Sequence, residues 1–167
     1  MVRIAKSLIT ILAVALIAVG ATSAAWTDSA TVENNVFTAG YMDITTAPAT
    51  ALFTAPNIYP GWSEEQQLVV QNSGTVPLNY DIAASKAAGD DVLYNSTDFL
   101  LKIGTASGLG DVYDGTVSGL TGLASVRNLA AGSSETLYFT VSLAGGAGNG
   151  LQKTTATVNF TFSATQP

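Results

Sequence analysis

Residues 136–143 read Thr-Leu-Tyr-Phe-Thr-Val-Ser-Leu, with Leu137, Phe139, Val141 and Leu143 at alternate positions. Residues 156–164 repeat this alternation, with apolar side chains at Ala156, Val158, Phe160, Phe162 and Ala164. Successive side chains of a strand point to opposite faces, so a period of two places one face in a core and the other in water. Both stretches are therefore predicted to be strands of an antiparallel sheet.

Shorter apolar runs extend the pattern to the rest of the chain. Strands are predicted over residues 67–71, 78–84 and 99–103, and the cluster Asn72-Ser73-Gly74 is typical of a turn. No long helical period is present downstream of residue 24, and residues 85–95 have room for a short helical turn at most. Short strands separated by Gly and Pro favour an all-β fold, a two-sheet jelly-roll-like antiparallel sandwich. Such a fold does not by itself name a function.

The first residues have the order of a signal peptide. Arg3 and Lys6 precede an apolar run over residues 8–19, and small residues at 22–24 predict cleavage between Ala24 and Ala25. A retained membrane anchor is the alternative, but the run is shorter than the roughly 20 residues of a span. We therefore expect a signal peptide at 1–24, an N-terminal strand at 25–39 and a β-sandwich domain at 40–167.

Composition excludes several kinds of chemistry. Removing Arg3 and Lys6 from the six basic residues leaves four against twelve acidic ones, a net charge of −8 that disfavours nucleic acid as a partner. The chain has no cysteine and no histidine, so disulfides, the usual zinc ligand sets and Ser/His or Cys/His nucleophile pairs are absent. No cofactor is predicted.

Residues 25–36 form an alternating segment at the predicted new N-terminus. Its apolar side chains are Trp26, Ala30, Val32 and Val36, although Asp28 and Asn34 interrupt the apolar face. A terminal strand can pair with an edge of its own domain or fill a groove in another copy, and the second arrangement is head-to-tail and extends into a fibre. The pattern leaves both arrangements open.

The same region resembles the TasA/camelysin family. The motif residues are Ala24-Ala25-Trp26-Thr27-Asp28, then Phe37-Thr38-Ala39-Gly40-Tyr41-Met42-Asp43-Ile44, in which Met42 and Ile44 replace leucines of the family pattern. Tyr59-Pro60-Gly61, Asn72-Ser73-Gly74 and residues 160–166 are similar to later family motifs, whereas residues 85–128 have no counterpart.

The resemblance implies an N-terminal donor strand in residues 25–38, with Trp26, Ala30, Val32 and Val36 as its anchors. It implies a secreted structural subunit of an extracellular fibre or pilus, as in biofilm matrix fibres and the similar archaeal bundling pilins. The expected partners are other copies in a head-to-tail polymer, neighbouring fibres and the signal peptidase during export, with no membrane after cleavage. Donor-strand complementation would be the mechanism, and the protein would not be an enzyme.

Two alternatives stay open. One is a monomeric surface adhesion module, and the other is a camelysin-type metallopeptidase. A peptidase needs an activated water or a nucleophile with a base, which here leaves only carboxylates at 90, 91, 98, 111 and 114.

Smaller motifs suggest further sites. The acidic residues Asp111 and Asp114 could bind calcium but lack the spacing of a recognised loop, and the glycines at 145–150 precede a strand and so predict a hairpin loop. Asn95 and Asn159 begin sequons and are candidate N-glycosylation sites.

Overall fold

A computed structural model describes Arg3, Ile4, Lys6 and residues 29–167. The chain divides into two units, Met1–Thr38 and Ala39–Pro167, and all strands found in the described residues lie in the second. The predicted cleavage residues Ala24 and Ala25 and the predicted anchor Trp26 lie outside the described residues. Within the described part of the chain, no helix is long and apolar enough to cross a bilayer.

The described residues form eight strands. They are β1 Ile44–Ala47, β2 Ser63–Asn72, β3 Leu78–Gly89, β4 Phe99–Gly104, β5 Tyr113–Thr116, β6 Arg127–Leu129, β7 Ser134–Leu143 and β8 Ala156–Thr165. A single helical turn, α1 Asp91–Tyr94, follows β3, and two 3-10 turns lie at Val117–Gly119 and Asn149–Leu151. The all-β prediction is confirmed; the three strands that sequence analysis missed, β1, β5 and β6, have only three or four residues each.

The strands form two sheets in which every neighbouring pair is antiparallel. The larger sheet has the order β1-β2-β7-β4-β5 and the smaller has the order β6-β3-β8. Leu68 lies opposite Leu137 in the larger sheet, and Ile82 lies opposite Phe162 in the smaller one. The predicted two-sheet sandwich is confirmed.

The core lies between the two sheets. Tyr80 and Ile82 enter it from β3, and Leu137 and Phe139 enter it from β7, all fully buried. At roughly 1.5–3 kcal/mol for each large apolar side chain, this burial is the main stabilising contribution. The core accounts for the period of two seen in the sequence.

A polar cluster joins the two sheets. The Tyr80 hydroxyl donates to Oε2 of Glu135 at 2.6 Å, and Nε of Arg127 donates to the same oxygen at 2.8 Å. Nη2 of Arg127 also pairs with Oε1 of Glu135. Burial works against the Glu135 carboxylate, but the bonds from Arg127 and Tyr80 outweigh it and lower the Glu135 pKa. The cluster links β3 and β6 of the smaller sheet to β7 of the larger.

Candidate functional site

An open groove of about 1350 Å³ runs along the sandwich between β1 and β8. β1 is an edge strand of the larger sheet and β8 is an edge strand of the smaller one. Ile44 and Thr46 line the groove from β1, and residues 156–162 line it from β8. Core side chains also reach it, among them Leu68, Leu93, Phe99, Val117, Val141 and Leu143. The groove is therefore an apolar opening between two unpaired sheet edges.

Strands β7 and β8 have the same alternation but different burial. The four apolar side chains of β7 from Leu137 to Leu143 are all buried. The inward positions of β8, from Ala156 to Ala164, all remain partly exposed, although they pack against the core. β7 has a strand on each side, whereas among the described strands β8 has only β3 as a neighbour. The missing neighbour of β8 leaves its apolar face incompletely covered.

The free edge of β8 offers backbone groups as well as side chains. β8 pairs with β3 over ten residues, from Asn79 opposite Thr165 to Gly89 opposite Ala156. Antiparallel pairing uses the N–H and C=O groups that face one side, and those on the other side stay available to a further strand. A row of donors and acceptors therefore borders the apolar groove.

Residues 48–58, here called the strap, form part of the groove lining between β1 and β2. Leu52, Phe53 and Ile58 are half-buried and pack against the core. No residue of the strap takes part in a hydrogen bond with any other described residue. The strap is held there by apolar packing.

Among the described residues that line the groove, Lys153 is the only charged one. It lies just before β8, is exposed, has a φ of 63°, and has no ion pair with any described residue. Residues 25–38, by comparison, contain Asp28 and Glu33 and no basic residue. The groove and the N-terminal segment therefore have opposite charges.

Three of the four predicted anchors, Ala30, Val32 and Val36, are described, and all three are exposed. Val32 is 80% exposed and Val36 85%, and the adjacent Phe37 is 93% exposed. Residues 29–38 contain no strand, and their one hydrogen bond with a described residue runs from Nδ2 of Asn35 to the Val32 carbonyl at 2.8 Å. The segment thus presents apolar side chains to solvent.

The chain that follows this segment is fixed to the turn between β2 and β3. Tyr41 N donates to Oγ1 of Thr75 at 3.0 Å, and the Thr75 amide donates to the Tyr41 carbonyl at 2.9 Å. A Cβ on Gly74 would lie 2.5 Å from the Tyr41 carbonyl oxygen and 2.8 Å from Asp43 N. Only glycine allows this approach, which gives a physical reason for the Asn-Ser-Gly motif.

The side chain of Asn72 also stabilises the turn between β2 and β3. It is the one buried polar side chain in the described part of the chain. Its Nδ2 atom lies 2.9 Å from the Val76 carbonyl and 3.2 Å from the carbonyls of Leu129 and Ala130, and its Oδ1 accepts from Gly74 N at 2.9 Å. Asn72 therefore joins the β2–β3 turn to the end of β6.

The carboxylates that sequence analysis considered are not gathered into one site. Asp91 pairs with Lys86, Asp114 pairs with Lys102 at 3.2 Å, and Asp90 accepts from Thr155 N at 2.7 Å.

Asp111 accepts from the hydroxyl and amide of Thr105, and these bonds lower its pKa. Asp98 lies immediately before β4, and its amide donates to Ser96 Oγ at 3.1 Å. Among the described residues, no group of three or more potential metal ligands of the His, Cys, Asp and Glu types occurs.

The two sequons lie at accessible positions. Asn95 is exposed at the end of α1, and Asn159 is exposed on the outer face of β8. Both remain predictions as glycosylation sites. The loop over residues 145–150 leads through a 3-10 turn into β8. The predicted hairpin is wrong, because β7 lies in the larger sheet and β8 in the smaller one, so the loop crosses between the sheets.

Sequence analysis did not identify the groove. β8 was recognised as a strand, but nothing in its pattern indicates that it lies at an edge. β1 is too short to give a periodic signal, and the strap has none of the alternation of a strand. The groove depends on which strands become neighbours, and that information is not local.

These features define an all-β sandwich with an open groove between two edge strands and an exposed apolar N-terminal segment. The chain belongs to the camelysin metallo-endopeptidase family, which matches residues 2–104. The resemblance to the TasA/camelysin family is thereby confirmed. The matched range ends with β4, so the similarity over residues 160–166 stays a prediction. No curated protein matches the chain.

Proposed function

We propose that this protein is an exported structural subunit that polymerises into an extracellular fibre or pilus. Residues 25–38 of one copy would enter the groove of the next and pair with the free edge of β8. The observation that carries the proposal is the half-exposed apolar face of β8 beside an unpaired edge. The same chain exposes Val32, Val36 and Phe37 in a segment that has no strand of its own.

The dimensions of donor and acceptor agree. β8 has ten residues, which at about 3.3 Å per residue span roughly 33 Å. Residues 25–38 are long enough to cover that length as one extended strand. Each large apolar anchor would contribute about 1.5–3 kcal/mol on burial, and each ladder hydrogen bond would add about 1 kcal/mol. Together these contributions exceed the roughly 10 kcal/mol that association costs, because the apolar anchors and the backbone hydrogen bonds form at the same time.

The contact has a direction, because the donor and the acceptor are different surfaces. Such a heterologous contact leaves a free donor at one end and a free groove at the other. Each added subunit renews both ends, so the chain of subunits continues to grow. The result is a fibre.

The family name favours a second candidate, a metallo-endopeptidase. The chain has neither histidine nor cysteine, so a metal would have to be held by carboxylate and carbonyl oxygens. Proteolysis of a protein substrate that is stopped by a chelator and restored by a divalent cation would support this function. We favour a non-enzymatic subunit, because the exposed donor segment and the open groove both have a use in a polymer.

The decisive experiment compares two purified chains by electron microscopy, one beginning at Ala25 and the other at Gly40. We expect fibres from the first and none from the second. Mass spectrometry of the secreted protein would test cleavage before Ala25. A chain from Ala25 that stays monomeric at high concentration would contradict the proposal and favour a monomeric surface adhesion module.

A further inference from the structure

The strap contains a near copy of the end of the N-terminal segment. Residues 52–55 read Leu-Phe-Thr-Ala, and residues 36–39 read Val-Phe-Thr-Ala. The two tetrapeptides differ only in the exchange of one aliphatic side chain for another. A surface that accepts one of them is therefore chemically suited to the other.

The two copies have opposite environments in the single chain. Val36 and Phe37 are 85% and 93% exposed, whereas Leu52 and Phe53 are half-buried in the groove lining against the core. The strap thus places its tetrapeptide at the site that we propose for the incoming strand.

The strap is held less firmly than a strand would be. It makes no hydrogen bond with other described residues, so the free edge of β8 stays unpaired although strap side chains line the same groove. An incoming strand would gain the same apolar burial and, in addition, a ladder of backbone hydrogen bonds along β8. The incoming strand would therefore make a row of hydrogen bonds that the strap does not make.

We propose that the strap is an internal substitute for the donor strand. The strap covers the groove in the free subunit and has to be displaced during assembly. This inference rests on the proposed function and adds its regulation. The strap shields apolar groove surface after export and sets a kinetic barrier that keeps free subunits from joining prematurely. Its two ends are continuous with β1 and β2, so it can leave the groove without separating from the sandwich.

The first test weakens the strap in the chain that begins at Ala25. The double variant Leu52→Ser, Phe53→Ser should shorten the lag before fibre growth by about tenfold, since two half-buried side chains no longer oppose opening. The matched control is Leu109→Ser, Val126→Ser, which removes two apolar side chains outside the groove lining. A lag that is unchanged or longer in a folded strap variant would overturn the proposal.

The second test leaves the strap packing almost unchanged. The chain has no native cysteine, so Ala55→Cys introduces a single thiol at a half-buried strap position. It is combined with Val32→Asp and Val36→Asp, which prevent the chain from donating its own strand. Adding a synthetic peptide of residues 25–39 should raise the rate of thiol labelling severalfold, because the peptide displaces the strap. A Thr121→Cys control, at an exposed turn outside the groove lining, should show no change.

The two proposals fail in different ways. If the unmodified chain forms no fibres and its groove takes up no peptide, then the proposed function is wrong. If fibres form and the peptide binds, but the labelling rate at position 55 does not rise, then the strap proposal alone is wrong. If the double strap variant does not fold, the labelling experiment still decides the question.

Discussion

The ring of Phe160 in β8 packs edge-on against the ring of Phe139 in β7, with centroids 5.3 Å apart. Phe139 is fully buried, and Phe160 is partly exposed to the groove. Two aromatic side chains in direct contact thus differ in burial, because one lies in a central strand and the other in an edge strand. This difference defines the acceptor surface on which the first prediction depends.

A charge in the groove should block acceptance while leaving donation intact. Val158→Asp places a carboxylate among the half-buried side chains of β8, and the chain carrying it should form no fibres on its own. The variant Val32→Asp, Val36→Asp should also form none, because its donor segment cannot be buried. Mixed together, the two should form a heterodimer detectable by light scattering, since one retains the donor and the other the groove.

The control for this experiment is Thr165→Asp, which adds the same charge on the outward face of β8 outside the groove lining. It should assemble normally. Failure of the mixture to dimerise, with both variants folded, would show that β8 does not accept the N-terminal segment.

Glycine at position 74 should be required for the docking of residues 41–43. Gly74→Ala would force a Cβ against the Tyr41 carbonyl, at a cost of about 1–3 kcal/mol. We expect a lower thermal midpoint and faster hydrogen exchange at the Thr75 amide, which donates to that carbonyl. Gly145→Ala is the control, because a Cβ there meets no atom within 4 Å; equal stability of the two variants would contradict the prediction.

Removal of the buried amide of Asn72 should destabilise the sandwich. Asn72→Ala leaves the carbonyls of Val76, Leu129 and Ala130 without this donor and Gly74 N without its acceptor. At about 1 kcal/mol for each hydrogen bond, we expect the free energy of unfolding in urea to fall by roughly 3 kcal/mol. Gln71→Ala, at the exposed neighbouring position, should change it by less than about 0.5 kcal/mol. Similar losses for both would show that the network is not stabilising.

The cluster of Tyr80, Arg127 and Glu135 should make stability depend on pH at both extremes. The pKa of Glu135 is lowered in the folded protein, so its contribution is present above the unfolded pKa and is lost as pH falls through the folded value. Burial and the neighbouring Glu135 raise the pKa of Tyr80, so its contribution is lost as pH rises above about 10.

Two conservative variants separate these effects in urea unfolding measured across pH. Glu135→Gln should reduce the acid dependence only in part, because hydrogen bonds also lower the pKa values of Glu65 and Asp111. Tyr80→Phe should reduce the alkaline loss only in part, because burial also raises the pKa of Tyr113, and it should keep the ring packed in the core. An unchanged pH profile in both variants would exclude the cluster as its cause.

The charge of Lys153 should help to guide the acidic donor segment. Lys153→Glu should slow fibre growth severalfold at low salt, and added salt should reduce the difference in growth rate between the variant and the parent chain. Lys102→Glu makes the same charge change on β4, at a residue that does not line the groove, and should leave the salt dependence of the parent chain. Identical salt dependence in all three chains would show that Lys153 plays no part.

Much of the fold could be predicted from local patterns. The alternation in β7 and β8 identifies strands and the face each one buries, because the pleat of a strand has a period of two in every context. The glycine at position 74 and the turn around it were also predicted. The short strands β1, β5 and β6 could not be, because three or four residues contain too few repeats for a periodic signal.

The candidate site, too, could be predicted from the sequence only in part. The sequence alone determined an apolar, acidic segment over residues 25–38, since side-chain character is a local property. Only the tertiary structure decided that β7 lies between two strands and that β8 has one neighbour and an open edge. Strand order is set by contacts between residues far apart in the chain, so two stretches with the same alternation became a closed core and an open groove.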